Sequence, residues 1–188
     1  MIIHIDGVQG SGKSYICSKI KNIKCSIKCI DTDDIMKEAI NIIETSQNTN
    51  NKMPRTIKQL DKIKKQIVDN YIKKYDNIIF AGMTVIIINP DYKFFIKITD
   101  FSNVYKRLLL RELDKIIKNK NKIIKHITME DDPKEIEIQR IADLSLRFPF
   151  EYDSFTQDYK ERLKEAKNKK YVIKTQDEII DFIKSLKC

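Results

Sequence analysis

The stretch IIHIDGVQGSGKS, residues 2–14, decides the fold of this chain. An apolar run from Ile2 to Asp6 leads directly into a segment that holds three of the four glycines of the protein. A short apolar run of this kind is typical of a buried β-strand, and the apolar residues that follow at Ile16, Ile20 and Ile23 have helical spacing. The sequence therefore predicts a strand, a glycine-rich loop and a helix in direct succession.

The glycine-rich loop satisfies the P-loop pattern, with Gly7, Gly12, Lys13 and Ser14 at the defining positions. Glycines let the backbone curl so that successive N–H groups point inwards, and the next helix presents its positive dipole end to an anion. We expect Lys13 to bridge the β- and γ-phosphates of ATP and the Ser14 hydroxyl to ligate Mg²⁺. The residues predicted to bind the nucleotide are Gly7, Gly10, Ser11, Gly12, Lys13, Ser14 and Tyr15.

Short apolar runs alternate with stretches of helical period along the rest of the chain, which favours an α/β fold with a mostly parallel sheet. Thr175-Gln-Asp-Glu178 forms a capping box before a last helix, predicted over Asp177 to Leu186. Helical stripes also run through residues 35–43 and 60–71. The predicted strands are Ile2 to Asp6, Ser26 to Asp31, Asn77 to Gly82, Phe94 to Ile98 and Tyr171 to Lys174.

Two segments interrupt this alternation. Residues 46–54 are polar and rich in turn formers, so they predict a loop between two helices. Residues 106–169 are charged and mostly helical in pattern, broken by Pro133 and Pro149. With 188 residues and no clear boundary, the chain predicts one domain.

The composition, 41% hydrophobic and 34% charged, is that of a soluble globular protein. The net charge of +9 would suit a polyanionic partner, but a lysine-coated solvated surface is the favoured explanation. Because no Arg/Gly-rich or aromatic-interleaved basic segment accompanies the lysines, a nucleic-acid partner is possible but not favoured.

The four cysteines show no paired CxxC spacing, so we interpret them as reduced thiols of a cytoplasmic protein. The first apolar run leads straight into the glycines and leaves no room for a signal peptide. No stretch approaches 18 apolar residues, so no membrane partner is expected.

The position of the acidic residues narrows the class of P-loop protein. A GTPase would carry DxxG and NKxD elements, but Ile79 stands three residues before Gly82, and neither Asn51-Lys52 nor Asn121-Lys122 is followed by x-Asp. The third strand, IIFAG, is followed by Met83 and not by the acidic residue that large ATPases place there.

The carboxylates instead follow the second strand, in IDTDD. Asp31 and Asp33 would share a side if the strand continued, so both could face the phosphates; we expect Asp31 to hold Mg²⁺ through water and Asp33 to take a proton from an attacking hydroxyl. Asp33 and Asp34 are also candidate acceptor-binding residues. The alternative is that Asp33 or Asp34 caps the helix that starts near Ile35.

On these residues the chain resembles the nucleoside and nucleotide kinase-like group of P-loop proteins, which includes adenylate, cytidylate, shikimate and gluconate kinases and polynucleotide 5′-hydroxyl kinases. GVQGSGKS is similar to their P-loop, and IDTDDI is similar to the D-x-D of the shikimate and gluconate enzymes. FFIKI followed by RLLLR is similar to their fourth strand and the start of their lid, and YVIKT is similar to their closing strand. The resemblance extends over nearly the whole chain, and its most specific element is the P-loop.

The resemblance implies a three-layer fold with a five-stranded parallel sheet in the order 2-3-1-4-5. It implies a core of residues 1–34, 76–105 and 169–188, a helical acceptor-binding insert at about 35–75 and a helical lid at about 106–168. Gly82 would end the third strand beside the acceptor, and Arg55 is the candidate for an acceptor phosphate, since it is the only arginine of the insert. Arg107 and Arg111, four apart on one helix face, would stabilise charge on the transferring phosphoryl group.

One departure concerns Tyr15, because many relatives have threonine after the P-loop serine and use its hydroxyl on the α-phosphate. The predicted function is transfer of the γ-phosphoryl group of ATP, with Mg²⁺, to a small acceptor, most simply a nucleoside or nucleotide. Three alternatives stay open: a kinase of a non-nucleotide hydroxyl such as a sugar acid, a polynucleotide 5′-hydroxyl kinase, and a switch protein that binds ATP without transfer.

Overall fold

The computed structural model describes residues 1–20, 26–47, 57–82, 89–111, 114 and 152–186. The chain divides into two compact units, the first formed by Met1–Lys97 with Glu165–Cys188 and the second by Ile98–Lys164. The layout predicted from the sequence, one domain with a core, an insert and a lid, stays a prediction.

The first unit is built on a five-stranded sheet in which every neighbouring pair is parallel. The strand order is β2-β3-β1-β4-β5, which confirms the predicted α/β class and the order 2-3-1-4-5. The fourth strand begins and ends two residues earlier than predicted, because an apolar run does not mark where strand pairing starts. The strands are β1 Ile2–Asp6, β2 Lys28–Asp31, β3 Ile78–Ala81, β4 Tyr92–Ile96 and β5 Val172–Lys174.

Six helices accompany the strands in the described parts of the chain. None of these helices combines the length and the apolar composition that a bilayer crossing requires. The predicted loop at 46–54 falls mainly outside the described residues, and α2 extends into its first two positions. The helices are α1 Lys13–Ile20, α2 Thr32–Gln47, α3 Ile57–Lys74, α4 at residues 101–111, α5 at residues 152–168 and α6 Gln176–Ser185.

Helices cover both faces of the sheet. Because successive strand residues point to opposite faces, Ile3 and Ile5 of β1 pack on one face, and Phe80 of β3 packs on the other. Helices α1 and α6 bury their apolar stripes on the first face, with Ile16, Ile20, Ile179 and Ile183 fully buried. On the second face α2 and α3 bury Ile35, Ala39, Ile67 and Val68. The buried members of the predicted helical stripes are therefore confirmed as core, whereas Ile43 is only partly buried.

The structure joins Cys17 of α1 and Cys29 of β2 in a disulfide, with their Cα atoms 5.7 Å apart. This Cα separation lies in the usual range for a disulfide. The interpretation of these two cysteines as reduced thiols is therefore wrong. Sequence spacing could not show the pairing, because β2 returns beside α1 only in the folded sheet. Cys25 and Cys188 lie outside the described residues.

Two helix ends next to β5 are held by specific backbone bonds. The C-terminus of α5 closes with Lys170 N–H donating to the Lys167 carbonyl and Tyr171 N–H donating to the Ala166 carbonyl. This is a Schellman motif, and Lys170 occupies its left-handed position with φ of 60°. At the start of α6, Thr175 and Glu178 form the predicted capping box. These two ends fix where the last strand and helix enter the sheet.

The second unit is held together by aromatic side chains. Phe101 of α4 packs edge to face on Tyr159 of α5, with ring centroids 4.9 Å apart. Tyr105 packs in the same way on Tyr152, at 5.2 Å. The Tyr159 hydroxyl also accepts a hydrogen bond from Ile98 N–H, at 3.2 Å. Residues 106–111, 114 and 152–168 are helical, which confirms the helical pattern predicted for the described parts of the 106–169 region.

Candidate functional site

The P-loop leaves the sheet at its central strand. Strand β1 pairs with β3 on one side and β4 on the other, so residues 7–12 emerge in the middle of the carboxyl edge of the sheet. Gly10 and Gly12 have φ of +76° and +94°, a region that side chains disfavour. Ser11 N–H donates to the Val8 carbonyl at 3.2 Å and closes the loop. The strand, loop and helix predicted from residues 2–14 are thus confirmed.

Close neighbours crowd a side chain at Gly7, and the backbone conformation disfavours one at Gly12. A Cβ at Gly7 would lie 2.6 Å from Ser11 Oγ and 3.2 Å from the Ile96 side chain. A Cβ at Gly12 would lie 2.1 Å from Gln176 Nε2. Close packing at Gly7 and the positive φ of Gly12 therefore favour glycine at these two positions whether or not a triphosphate lies against them.

Lys13 turns back over the loop that precedes it. Its Nζ donates to the carbonyls of Gly7, at 2.5 Å, and Val8, at 3.0 Å. Ser14 and Tyr15, in the first turn of α1, are exposed, and Lys19 Nζ lies 5.3 Å from the centroid of the Tyr15 ring. A positive charge, a free hydroxyl and the N-terminus of a helix therefore meet at one place, an arrangement suited to a phosphate group.

Two residues of β1 add polar contacts that the sequence did not single out. Asp6 Oδ1 accepts a hydrogen bond from Gly7 N–H at 2.6 Å and so anchors the first residue of the loop. His4 is buried, and its Nδ1 is hydrogen-bonded to the Tyr171 hydroxyl at 2.6 Å. Burial lowers the pKa of His4, while the Asp6 carboxylate opposes this shift. Burial, aided by Asp6, raises the pKa of Tyr171 to about 12. At neutral pH both side chains are therefore uncharged.

The acidic residues of IDTDD lie where β2 passes into α2. Strand β2 ends at Asp31, and α2 begins at Thr32, so the expectation that Asp31 and Asp33 share one side of a continuing strand is wrong. Asp31 Oδ1 accepts from Asp33 N–H at 2.9 Å. The cap predicted for Asp33 or Asp34 is thus made by Asp31. Asp33 and Asp34 are exposed in the first turn, and Asp34 pairs with Lys37 at 2.9 Å.

Gly82 lies directly after β3 and packs against the start of α2. A Cβ at Gly82 would lie 1.5 Å from Thr32 Oγ1 and 2.6 Å from Thr32 Cβ. Thr32 is fully buried, between the two aspartates Asp31 and Asp33. The glycine at this position therefore lets the IDTDD turn approach the end of β3, a role that the acceptor-binding prediction did not anticipate.

The strand register relates the carboxylates to the P-loop. Asp31 pairs with Ala81, and Ala81 pairs with Ile5, so β3 separates Asp31 from the residue before Asp6. Two strand spacings place the Cα atoms of Asp31 and Ile5 about 10 Å apart. The acidic turn and the P-loop therefore lie at the same carboxyl edge of the sheet, with the end of β3 between them.

The oxygens at this edge fit a Mg²⁺ ion that arrives with a nucleotide. Ser14 offers an exposed hydroxyl, and Asp31 offers a half-buried carboxylate. Among the described residues no group of three or more metal-ligating side chains lies together. Mg²⁺ in phosphotransfer sites usually takes one or two protein oxygens and fills its shell with phosphate and water, so the donor set is adequate for such an ion.

Three other predicted site residues are not tested by the geometry of the first unit. Arg55 lies outside the described residues. Arg107 and Arg111 are exposed on α4, in the second unit, and Arg107 Nε donates to the Asn103 carbonyl at 3.4 Å. Their predicted action on the phosphoryl group stays a prediction.

One residue that contacts the P-loop was not predicted, because it comes from the far end of the chain. Gln176 is the first residue of α6, and its Nε2 donates to the Ser11 carbonyl at 2.5 Å. The two residues are 165 positions apart, so no local pattern signals this contact. Only the parallel pairing of β1 with β4 and of β4 with β5 brings them together.

Comparison with known proteins adds no assignment. No protein-family model matches the chain, and no curated protein matches it with significance.

Proposed function

We propose that the protein is a P-loop phosphotransferase that moves the γ-phosphoryl group of ATP, with Mg²⁺, to the hydroxyl or phosphate of a small acceptor. The observation that carries this proposal is the P-loop itself. It follows the central strand of a 2-3-1-4-5 parallel sheet, and Lys13 folds over it beside the N-terminus of α1. A cradle of inward N–H groups and one ammonium group suits a polyphosphate.

Each part of the site has a distinct task in this proposal. The backbone of residues 7–13 binds the β- and γ-phosphates, and Lys13, which now donates to loop carbonyls, donates to phosphate oxygens instead. Ser14 and Asp31 would hold the Mg²⁺, whose charge offsets that of the phosphates. The exposed first turn of α1 leaves Tyr15 beside the α-phosphate, where its backbone N–H is the available donor.

Asp33 is the proposed proton acceptor. It is exposed in the first turn of α2, and its backbone is fixed by the bond to Asp31. In the transfer the bond between the γ-phosphorus and its bridging oxygen breaks, and a bond to the acceptor oxygen forms. When the acceptor is a hydroxyl, its proton passes to the Asp33 carboxylate.

A nucleoside or nucleotide is the acceptor class we propose, with Asp34 and Arg55 as its further contacts and Arg107 and Arg111 as cations on a lid. Asp33 and Asp34 are both exposed, and two exposed carboxylates also suit a polyol such as a sugar acid. The first experiment should therefore establish which acceptor is phosphorylated.

The test combines the purified chain, Mg-ATP and a panel of acceptors: nucleosides, nucleoside monophosphates, sugar acids and a 5′-hydroxyl oligonucleotide. ADP release and acceptor phosphorylation are followed together. We expect one acceptor class to stimulate ADP release strongly and Asp33→Asn to reduce that stimulation, whereas Asp181→Asn, an exposed α6 carboxylate, serves as the matched control. Tight ATP binding without ADP under any acceptor would contradict the proposal and favour a nucleotide-dependent switch.

A further inference from the structure

We propose that Gln176 is a positioning residue of the P-loop, which holds the Ser11–Gly12 peptide in the orientation that binds the phosphates of the donor nucleotide. That the loop binds a nucleotide is part of the proposed function, and this inference rests on it. The contact that carries it is a feature of the first unit alone, between the start of α6 and the loop after β1.

The geometry of the contact is close and directional. Gln176 Nε2 donates to the Ser11 carbonyl at 2.5 Å, and the same amide fills the space where a Cβ of Gly12 would lie. Gln176 is itself half-buried and follows Thr175, whose capping box with Glu178 fixes the first turn of α6. The Nε2 donor is therefore held by the capped first turn of α6.

Fixing the Ser11 carbonyl also fixes the next N–H group. In a planar trans peptide the C=O of one residue and the N–H of the next point in opposite directions. No cis peptide bond is present in the described chain, so the Gly12 N–H points away from Gln176. That N–H belongs to the run of backbone donors that forms the anion cradle.

Backbone bonds from Ser11 N–H to the Val8 carbonyl and from Ile16 N–H to the Gly12 carbonyl flank this peptide, and Gln176 Nε2 bonds the Ser11 carbonyl within it. Gly12 has φ of +94° and no side chain, and glycine rotates among backbone conformations more freely than any other residue. Without the amide of Gln176, the Ser11–Gly12 peptide gains freedom that a bound polyphosphate must then remove. Nucleotide affinity should fall for this reason, and the loss should be independent of the base.

The experiment compares wild type, Gln176→Met, Gln176→Glu and a matched control, Gln66→Met, whose glutamine is exposed on α3. Methionine keeps the length of the side chain and removes the donor. Glutamate keeps the shape, cannot donate to a carbonyl and adds a negative charge near the phosphates. Two quantities are measured: hydrogen exchange of the amides of residues 8–14 in the ligand-free chain, and the Kd for Mg-ATP, Mg-GTP and Mg-tripolyphosphate.

We expect faster exchange of the loop amides in both Gln176 variants and not in the control. The Kd should rise roughly 5- to 30-fold in Gln176→Met, the effect of losing one hydrogen bond, by a similar factor for all three ligands, and further in Gln176→Glu. The control should match wild type in both measurements.

Unchanged loop exchange in Gln176→Met would overturn the positioning role, and so would an affinity loss confined to one base. Failure of the wild type to bind any of the three ligands would overturn the proposed function instead. In that case the exchange measurement still decides whether Gln176 holds the loop, so the two failures are distinguishable.

Discussion

Replacing Gly82 with alanine tests whether the IDTDD turn is seated against the end of β3. The new Cβ would lie 1.5 Å from Thr32 Oγ1, 2.6 Å from Thr32 Cβ and 2.8 Å from Thr32 Cγ2. Gly82, unlike Gly10 and Gly12, does not have a positive φ, so its backbone conformation tolerates alanine. The expected loss of stability is therefore steric. Both residues are buried, and neither can turn its contact atoms towards solvent.

The magnitude follows from overpacking in a buried site. Inserting a methyl group into a packed core typically costs 1–3 kcal/mol, and three contacts below 3 Å place this case at the upper end, about 3 kcal/mol. Alanine also lowers the backbone entropy of the unfolded chain, which stabilises the folded state by about 0.4–1 kcal/mol and offsets part of this loss. A net loss of about 2–2.5 kcal/mol corresponds to a fall in Tm of roughly 4–10 °C for a chain of this size.

The assay is urea unfolding of wild type, Gly82→Ala, Thr32→Ala and the double variant. Truncation of Thr32 removes its Oγ1 and Cγ2, so the double variant should be more stable than the sum of the single effects by about 1–2 kcal/mol. Additive effects, or an alanine variant as stable as wild type, would refute the packing argument. A raised KM for the acceptor without loss of stability would instead favour an acceptor contact at Gly82.

Three further predictions follow from other contacts. Lys13→Ala should lower the rate of ADP formation at least about 100-fold, as loss of a single charged donor to a transferring group does, whereas Lys19→Ala, exposed on the same helix, should retain the wild-type rate. The buried His4 has a lowered pKa, so the unfolded chain binds its proton first as pH falls, and stability should decline below about pH 6.5. His4→Gln should remove part of this decline, which is at most about 1.4 kcal/mol per pH unit. The measurement is urea unfolding of both proteins at pH 7.5, 6.5 and 5.5. If the free energy of unfolding falls with pH equally in both, His4 is not the cause of the decline. Lys170→Gly should raise the free energy of unfolding by about 0.5–1 kcal/mol, because glycine relieves the left-handed strain at φ of 60°. Lys169→Gly, directly after α5, should lower it.

Much of the architecture was predictable because it is written in local patterns. The apolar run before Gly7 marks β1, the alternation of short runs and helical stripes marks the α/β class, and Thr175 with Glu178 marks the start of α6. These signals depend on neighbours within a few residues, so they survive without tertiary information. The sheet order came from the resemblance to a kinase group, and the strand pairing confirms it.

The sequence alone determined that residues 7–14 follow the pattern of an anion-binding loop, because that pattern requires only the order of glycine, lysine and serine. Tertiary structure decided which neighbours make those glycines necessary. Ser11 and Ile96 fill the space at Gly7, and Gln176 fills it at Gly12. Tertiary structure also decided that Asp31 caps α2, that Gly82 admits Thr32 and that Cys17 pairs with Cys29. Most of these contacts join residues far apart in the chain, and parallel pairing of strands is the physical cause that brings their side chains within reach.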